Sequence, residues 1–406
     1  MKRSVELGFN RIPSGQQVST TFHVLLVANS ATDGQESMLR FAEMLRSGLA
    51  ATGCTVEVIA PPSIFGRFVS TRGSLGKWIG YIDKYLLFPF LMRRKIAAIR
   101  RRASRTQGIF PVVHICDHSN APYVAHVAGV PCVVTCHDLG AVRGALGEAT
   151  YCPASATGKL LQRWILRSLA RPDRIVCDSA ATERDARRLL GRQCPATEVV
   201  LLGLNQTFSE RPAAEIEGYL AGTLPNLDLT RPFLLHVGSS HPRKNRDGIL
   251  RIFHRVKDRW DGGLVFAGEA LPDELVDLAR KLGISERVTV VEGPATPLLE
   301  ALYNRAFALI FPSRFEGFGW PLVEAQACGC PVLCSDSSSV PEVAGAGAFV
   351  RAVQDEDGFA EDILRLEQPE VRAALIQRGR ENLVRFRTQD MIDRYMATYR
   401  SIARAK

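Results

Sequence analysis

The 406 residues contain no apolar run that approaches the roughly 20 needed to cross a bilayer as a helix. The longest, Tyr85–Met92, is interrupted by Pro89. Residues 1–20 lack the apolar segment of a secretory signal, so a cytoplasmic chain is expected. Cysteine is sparse: ten residues, mostly in apolar strand-like segments (Cys116, Cys132, Cys136, Cys177, Cys330, Cys334), which excludes a disulfide framework. Cys328-x-Cys330-x3-Cys334 lacks the paired spacing of a structural zinc site, and no metal is expected. There is no repeat or biased segment. With 46% apolar and 23% charged residues, disorder is excluded too. Acidic residues are in deficit, 42 against 51 Lys and Arg, and the net charge of +9 favours anionic partners. No nucleic-acid-binding motif accompanies that charge, so no nucleic acid is expected among them.

What the chain does have is length for two or three domains and a βαβ alternation of short β-branched runs with amphipathic stretches. In the first half, strands are expected at Phe22–Ala28, Thr55–Ala60, Val112–Ile115, Cys132–Cys136, Arg174–Cys177 and Val199–Leu202, with helices at Glu36–Ala51 and Ala180–Leu190 among others. The second half repeats the plan, with strands at Phe233–Val237, Leu264–Ala267, Val288–Val291, Ala308–Phe311 and Val332–Cys334. Helices are expected there at Arg246–Arg259, Asp273–Leu282, Pro297–Asn304 and Pro321–Ala327. The expected fold class is α/β, with two Rossmann-like, doubly wound domains facing each other across a cleft. Residues 1–20 form a tail, 21–210 the first domain, 211–231 a linker and 232–385 the second domain. Residues 386–406 form a terminal helix that is a candidate to pack back on the first domain. Open α/β sheets bind ligands beyond the carboxyl ends of their strands, so the residues just after each strand carry the functional interest.

The most informative stretch follows the Ala308–Phe311 strand. Gly317 and Gly319, flanking Phe318, let a loop approach a ligand closely, and Pro321 suits the first turn of a helix. Glu316 on the loop and Glu324, expected in that first turn, can both face one ligand and accept hydrogen bonds from vicinal sugar hydroxyls. Helix capping is the plainer reading of Glu324 alone. After the Phe233–Val237 strand, Gly238 leads to Arg243 and Lys244, a cation pair able to neutralise a diphosphate; a solvated basic loop is the alternative. His137 and Asp138 end another strand, His137 as a catalyst or a structural hydrogen bonder, Asp138 as its orienter or as a turn cap. Asp117 and His118 are candidates to touch a second substrate. The basic segment Arg93–Arg105 carries seven Lys and Arg and no acid, and it follows an aromatic stretch containing Tyr85, Phe88, Phe90 and Leu91. It reads either as a helix that docks on an anionic membrane surface or as a solvated helix face.

The glycine loop with Glu316 and Glu324 resembles the E-x7-E motif of the retaining, family 4, GT-B glycosyltransferases. Cys330-Pro331-Val332 and Val340-Pro341-Glu342-Val343 resemble the sequence that follows it in that family. The resemblance spans about residues 20–385 and is strongest over 231–345. It implies a donor-sugar contact for Glu316, a ribose contact for Glu324, and contacts to sugar and diphosphate from the amides of Gly317 to Gly319. It further implies diphosphate binding by Arg243 and Lys244, and a place for His137 beside the donor sugar. Gly34 matches a glycine-rich loop that lacks its usual second glycine here. Ser239 stands where many members have Arg, and Ser179 matches a serine at a helix start. The implied activity is transfer of a hexosyl group from a nucleotide-sugar to a saccharide or lipid-linked saccharide in cell-surface polysaccharide synthesis such as that of lipopolysaccharide, without a cofactor or metal. The Arg93–Arg105 segment fits work at the inner face of the cytoplasmic membrane. A phosphorylase or epimerase of the same fold, and a non-catalytic binder of nucleotide-sugars or anionic polymers, are the alternatives.

Overall fold

Strands that are apolar throughout must be covered on both faces, and a parallel sheet with helices on either side does this. The computed structural model, which describes residues 21–62, 83–106, 108–127, 129–204 and 206–404, contains two such sheets. The expected tail at residues 1–20 lies outside the described residues. The first sheet holds β1 (Thr21–Val27), β2 (Thr55–Ile59), β3 (Ile109–Ile115), β4 (Cys132–Cys136), β5 (Arg174–Cys177) and β6 (Thr197–Val199) in the order β2-β1-β3-β4-β5-β6. The second holds β7 (Phe233–Gly238), β8 (Gly263–Gly268), β9 (Val288–Glu292), β10 (Ala308–Phe311), β11 (Val332–Ser335) and β12 (Ala348–Arg351) in the order β12-β11-β10-β7-β8-β9. Every pairing is parallel, with registers such as Leu25↔Val113 and Leu309↔Val332. The fold is the expected α/β pair of doubly wound domains.

Several stretches differ from the sequence expectation; β6 runs over Thr197–Val199, earlier than the expected Val199–Leu202. Residues read as linker contain the helix Ala213–Thr223, started by Pro212 and anchored by buried Ile216 and Leu220 near the helix Thr296–Arg305. The edge strand β12 has only four residues, too few for a periodicity to show. The helix Phe88–Arg105 takes Pro89 in its first turn and turns Phe88, Met92, Ile96 and Ile99 into the core.

The order of each sheet reverses next to its first strand, between β1 and β3 and between β7 and β10. These are the switch points where doubly wound sheets leave a crevice. The chain passes between the domains twice. Leu204 N donates to Phe386 O (3.0 Å) where the two passages meet, and Trp320 Nε1 donates to Gly203 O (3.1 Å). The second passage leads into the helix Thr388–Arg404, whose Met391, Ile392, Tyr395, Met396 and Tyr399 are buried against the first domain. Its Tyr399 hydroxyl bonds His114 Nδ1 (2.6 Å) and its Tyr395 hydroxyl bonds Thr135 Oγ1 (3.0 Å).

Candidate active site

The loops after β1, β3, β4 and β7 line one interdomain cleft of about 830 Å³, whose walls include Gly34, Asp117, His118 and His137 from the first domain and Gly238, Arg243 and Lys244 from the second. A smaller adjoining space of about 170 Å³ reaches Glu316, Gly317, Phe318 and Gly319. Gly34 is left-handed (φ 67°) beside the helix Glu36–Ala51, as a tight exit from β1 requires. Phe318 is buried, and its carbonyl accepts from Ser339 Oγ (3.0 Å).

Glu316 lies at the centre, 5% exposed. Arg243 Nη1 donates to its Oε2 (2.6 Å) and Lys244 Nζ to its Oε1 (2.7 Å). Sequence reading gave these residues separate ligands, the sugar and the diphosphate; the structure joins them in one ion cluster. Burial works against the Glu316 carboxylate, but Lys244 and Arg243 outweigh it and hold the group down at about 2. The carboxylate beside Arg243 raises that guanidinium further. Lys244 falls below its usual value because burial, with help from Arg243 and Arg246, exceeds what Glu316 returns. The cluster retains one net positive charge, two cations against one carboxylate, in a nearly dry setting where charge acts strongly.

The loop after β10 is pressed against the first domain. A Cβ on Gly317 would lie 2.0 Å from the His137 carbonyl oxygen, so only glycine fits there. The Gly317 carbonyl accepts from Ser179 Oγ (2.8 Å), while Ser179 also accepts from Thr182 N to cap the helix Ala180–Leu190. Gly319, left-handed at φ 103°, starts the helix Trp320–Ala327. That helix begins one residue earlier than expected, which puts Glu324 beyond its first turn. Glu324 is buried, and its Oε2 accepts from Tyr303 Oη (2.8 Å). Tyr303 carries no motif and was not anticipated.

His137 is held at both ring nitrogens, Nδ1 by Asp178 Oδ2 (2.9 Å) and Nε2 by the Cys116 carbonyl (2.8 Å). Burial opposes its charge, yet Asp178, Asp117 and the Cys116 carbonyl push it up to about 9. Burial pushes Asp178 up to about 6, against the pull of His137. At neutral pH the ring is an imidazolium with both N–H groups committed, so it offers fixed charge and has no lone pair for proton transfer. Asp138, the neighbour expected to orient it, caps the next turn through Gly140 N (2.9 Å). The orienting role belongs to Asp178, and the β4–β5 register Cys136↔Cys177 is the signal that places it beside His137. Asp117 accepts from Asn29 Nδ2 (2.6 Å) and Ser119 N (2.9 Å) and pairs with His118 (3.1 Å), forming a polar wall on the first-domain side.

The arrangement can receive an anion at Arg243 and Lys244, hydroxyl groups at Glu316, and a polar second substrate against His118 and Gly34. Two sequence profiles match the chain, the one described as Glycosyltransferase Family 4 over residues 38–205 and the one described as Glycosyl transferases group 1 over residues 225–382. A D-inositol 3-phosphate glycosyltransferase from Mycobacterium sp. (strain KMS) is 29% identical over 287 residues, 68% of this chain and 63% of that protein. The chain therefore spans a little under two thirds of that relative's length. The protein of the same name from Mycolicibacterium paratuberculosis is 29% identical over 380 residues, 89% of this chain and 81% of its own. Among solved structures, sucrose-phosphate synthase from Thermosynechococcus elongatus superposes with a TM-score of 0.71 at 20% identity, covering 95% of this chain and 100% of its own. HepE from Anabaena, in complex with UDP and glucose, gives 0.67 at 17% identity over 93% and 99% of the two chains. WaaG, a glycosyltransferase involved in lipopolysaccharide biosynthesis, gives 0.65 at 16% over 92% and 98%.

Proposed function

The chain belongs to the family 4 glycosyltransferases, and on that premise we propose that it moves a hexosyl group from a nucleotide-sugar donor to a saccharide acceptor with retention of configuration. The observation that carries this reading is the Arg243–Lys244–Glu316 cluster at the switch point of the second sheet, facing His137 across the cleft. The donor diphosphate takes the two cations and the amides of the loop Gly317–Gly319, and their charge stabilises it as it leaves. Glu316, released in part from the cations, accepts hydrogen bonds from the sugar hydroxyls. Glu324, held by Tyr303, accepts from the ribose. The acceptor hydroxyl attacks the anomeric carbon from the face the diphosphate departs, and its proton passes to the departing phosphate oxygen, with no protein nucleophile. Arg243 and Lys244 supply the countercharge that a metal would otherwise bring.

We further propose a lipid-linked acceptor in cell-surface polysaccharide synthesis, used at the cytoplasmic face of a membrane. Among the described residues no helix is long and apolar enough to cross a bilayer. Phe90 and Leu91 are 57% and 41% exposed on the basic helix Phe88–Arg105, and Trp164, exposed on the helix Ala156–Ser168, packs at a tilt against Tyr85 with ring centroids 5.0 Å apart. Exposed apolar residues beside Lys and Arg are what an interfacial helix presents to anionic lipid. A polyol phosphate, the acceptor type in the mycobacterial relatives' name, is the second reading. It is favoured by Arg40 and by His118, whose pKa Asp117 raises against burial, on the cleft wall.

The test is calorimetric. Arg243→Ala with Lys244→Ala removes two charge-assisted contacts of about 1.5–3 kcal/mol each. Nucleoside diphosphate affinity should then fall far more than affinity for the bare nucleoside. Equal losses would refute the phosphate role. Release of free nucleoside diphosphate on turnover, as opposed to sugar phosphate or an epimerised donor, separates transfer from phosphorolysis and epimerisation.

A further inference from the structure

The Val340-Pro341-Glu342 turn does something that the motif resemblance does not assign. Glu342 extends from the second domain to the N-terminus of the helix Ala180–Leu190 in the first, where both carboxylate oxygens lie 2.9 Å from Ala180 N and Oε2 lies 3.4 Å from Ala181 N. Backbone N–H groups at a helix start have no partner inside the helix and favour an anion. Here the anion is a side chain of the facing domain. The same short segment also holds the loop after β10: Ser338 Oγ and Ser339 Oγ donate to Glu316 O (2.5 and 3.0 Å), and Ser338 is in a left-handed conformation (φ 58°) that few non-glycine residues adopt.

On the other side, Ala180 is two residues from Asp178, which holds His137. Between them Ser179 donates to Gly317 O, and, two residues beyond Ala180, Thr182 Oγ1 donates to His137 O (3.1 Å). One three-residue turn, Asp178-Ser179-Ala180, is therefore bonded to His137, to the loop after Glu316 and to Glu342 at once. We infer that Glu342 is a positioning residue, a latch that caps the first domain's helix only when the cleft is closed and so aligns the His137 wall with the Glu316 loop. It touches no substrate and acts through the turns on either side of it. The inference deepens the proposed transferase reading and rests on it for its kinetic consequence.

The experiment compares Glu342→Ala, Glu342→Gln and the wild type by calorimetry with a nucleoside diphosphate, by small-angle scattering with and without that ligand, and by steady-state transfer. Glu342→Ala should keep the binding stoichiometry and an affinity within about threefold, since Arg243 and Lys244 are untouched. Its radius of gyration should rise in the absence of ligand, and its kcat should fall about fivefold to thirtyfold, which loss of a helix cap of about 1–2 kcal/mol corresponds to. Glu342→Gln, which keeps one acceptor oxygen, should recover part of both effects. A cap that merely supports local folding would lower the fraction able to bind and leave kcat per binding-competent molecule unchanged. An unchanged scattering profile together with kcat per bound site within twofold of the wild type overturns the latch. If the wild type binds no nucleoside diphosphate, the transferase reading fails, while scattering still decides whether Glu342 holds the domains together.

Discussion

Glu316→Gln separates two consequences of the central ion cluster that pull in opposite directions. In the folded protein the carboxyl sits at about 2, against a usual value of 4.5. At about 1.4 kcal/mol per pH unit this corresponds to about 3 kcal/mol. Because the folded value is the depressed one, that stability is present above about pH 4.5 and is lost as pH falls through about 2. The amide also leaves Arg243 and Lys244 facing each other without a counterion, and removing one partner of a buried pair costs about 3–5 kcal/mol. Thermal unfolding at neutral pH should therefore come at a markedly lower temperature. For a diphosphate the sign reverses. A carboxylate about 5 Å from a phosphate charge opposes it by about 3 kcal/mol at an effective dielectric of about 20. With Arg243 27% open to solvent, roughly half of that should survive. The variant should bind a nucleoside diphosphate about tenfold more tightly and be stabilised by it more than the wild type is, while its turnover falls because nothing holds the sugar hydroxyls. Paired calorimetry and thermal shift read both effects. Weaker diphosphate binding in Glu316→Gln would show that the carboxylate supports the phosphate site, and the assignment of the cations to the diphosphate would be wrong.

Asp178→Asn should lower the alkaline limb of activity. The imidazolium of His137 contributes fully below about pH 6.5 and is lost as pH rises through about 9, so removing its carboxylate partner should move that limb down by more than one unit; imidazole NMR titration and the pH–rate profile check it, and an unmoved limb refutes the pairing. Replacing Phe90 and Leu91 with Ser leaves the seven cations of Arg93–Arg105 in place. Sedimentation with anionic vesicles should weaken at fixed salt, and binding of the wild type should itself fall as salt rises; failure of the wild type to bind at low salt removes the membrane proposal.

Most of the fold was legible because a parallel α/β domain is written locally: β4, β5, the helix Glu36–Ala51 and the helix Ala180–Leu190 lie where pattern and caps place them. The helix Ala213–Thr223 was hidden by the prolines that flank it, Pro212 and Pro225, and by having only two buried apolar side chains. At the site, Glu316, Arg243 and Lys244 could be picked out because each follows a strand, but their union depends on β7 and β10 being neighbours, which sequence spacing does not state. Asp178 and Tyr303 were passed over for the same reason. Each acts on a partner tens of residues away, brought close by the sheet order or by packing of a helix. Ser179 looked like an ordinary cap because its bond to Gly317 exists only across the closed cleft.

The return of the helix Thr388–Arg404 to the first domain constrains how the protein is made. A ribosome delivers β1 to β6 long before residues 388–404, and until those arrive the groove that receives Tyr395 and Tyr399 stays open, with His114 and Thr135 at its floor. The second domain, contiguous in the chain, can complete its core first. The first domain has to wait for contacts of very long range, the His114–Tyr399 pair at 285 positions and the Cys54–Met396 pair at 342 among them. Such long-range closure is slow and leaves apolar surface exposed meanwhile. Synthesis thus runs N- to C-terminal while completion of the two halves runs in reverse, and the nascent first domain is where a chaperone has most to cover.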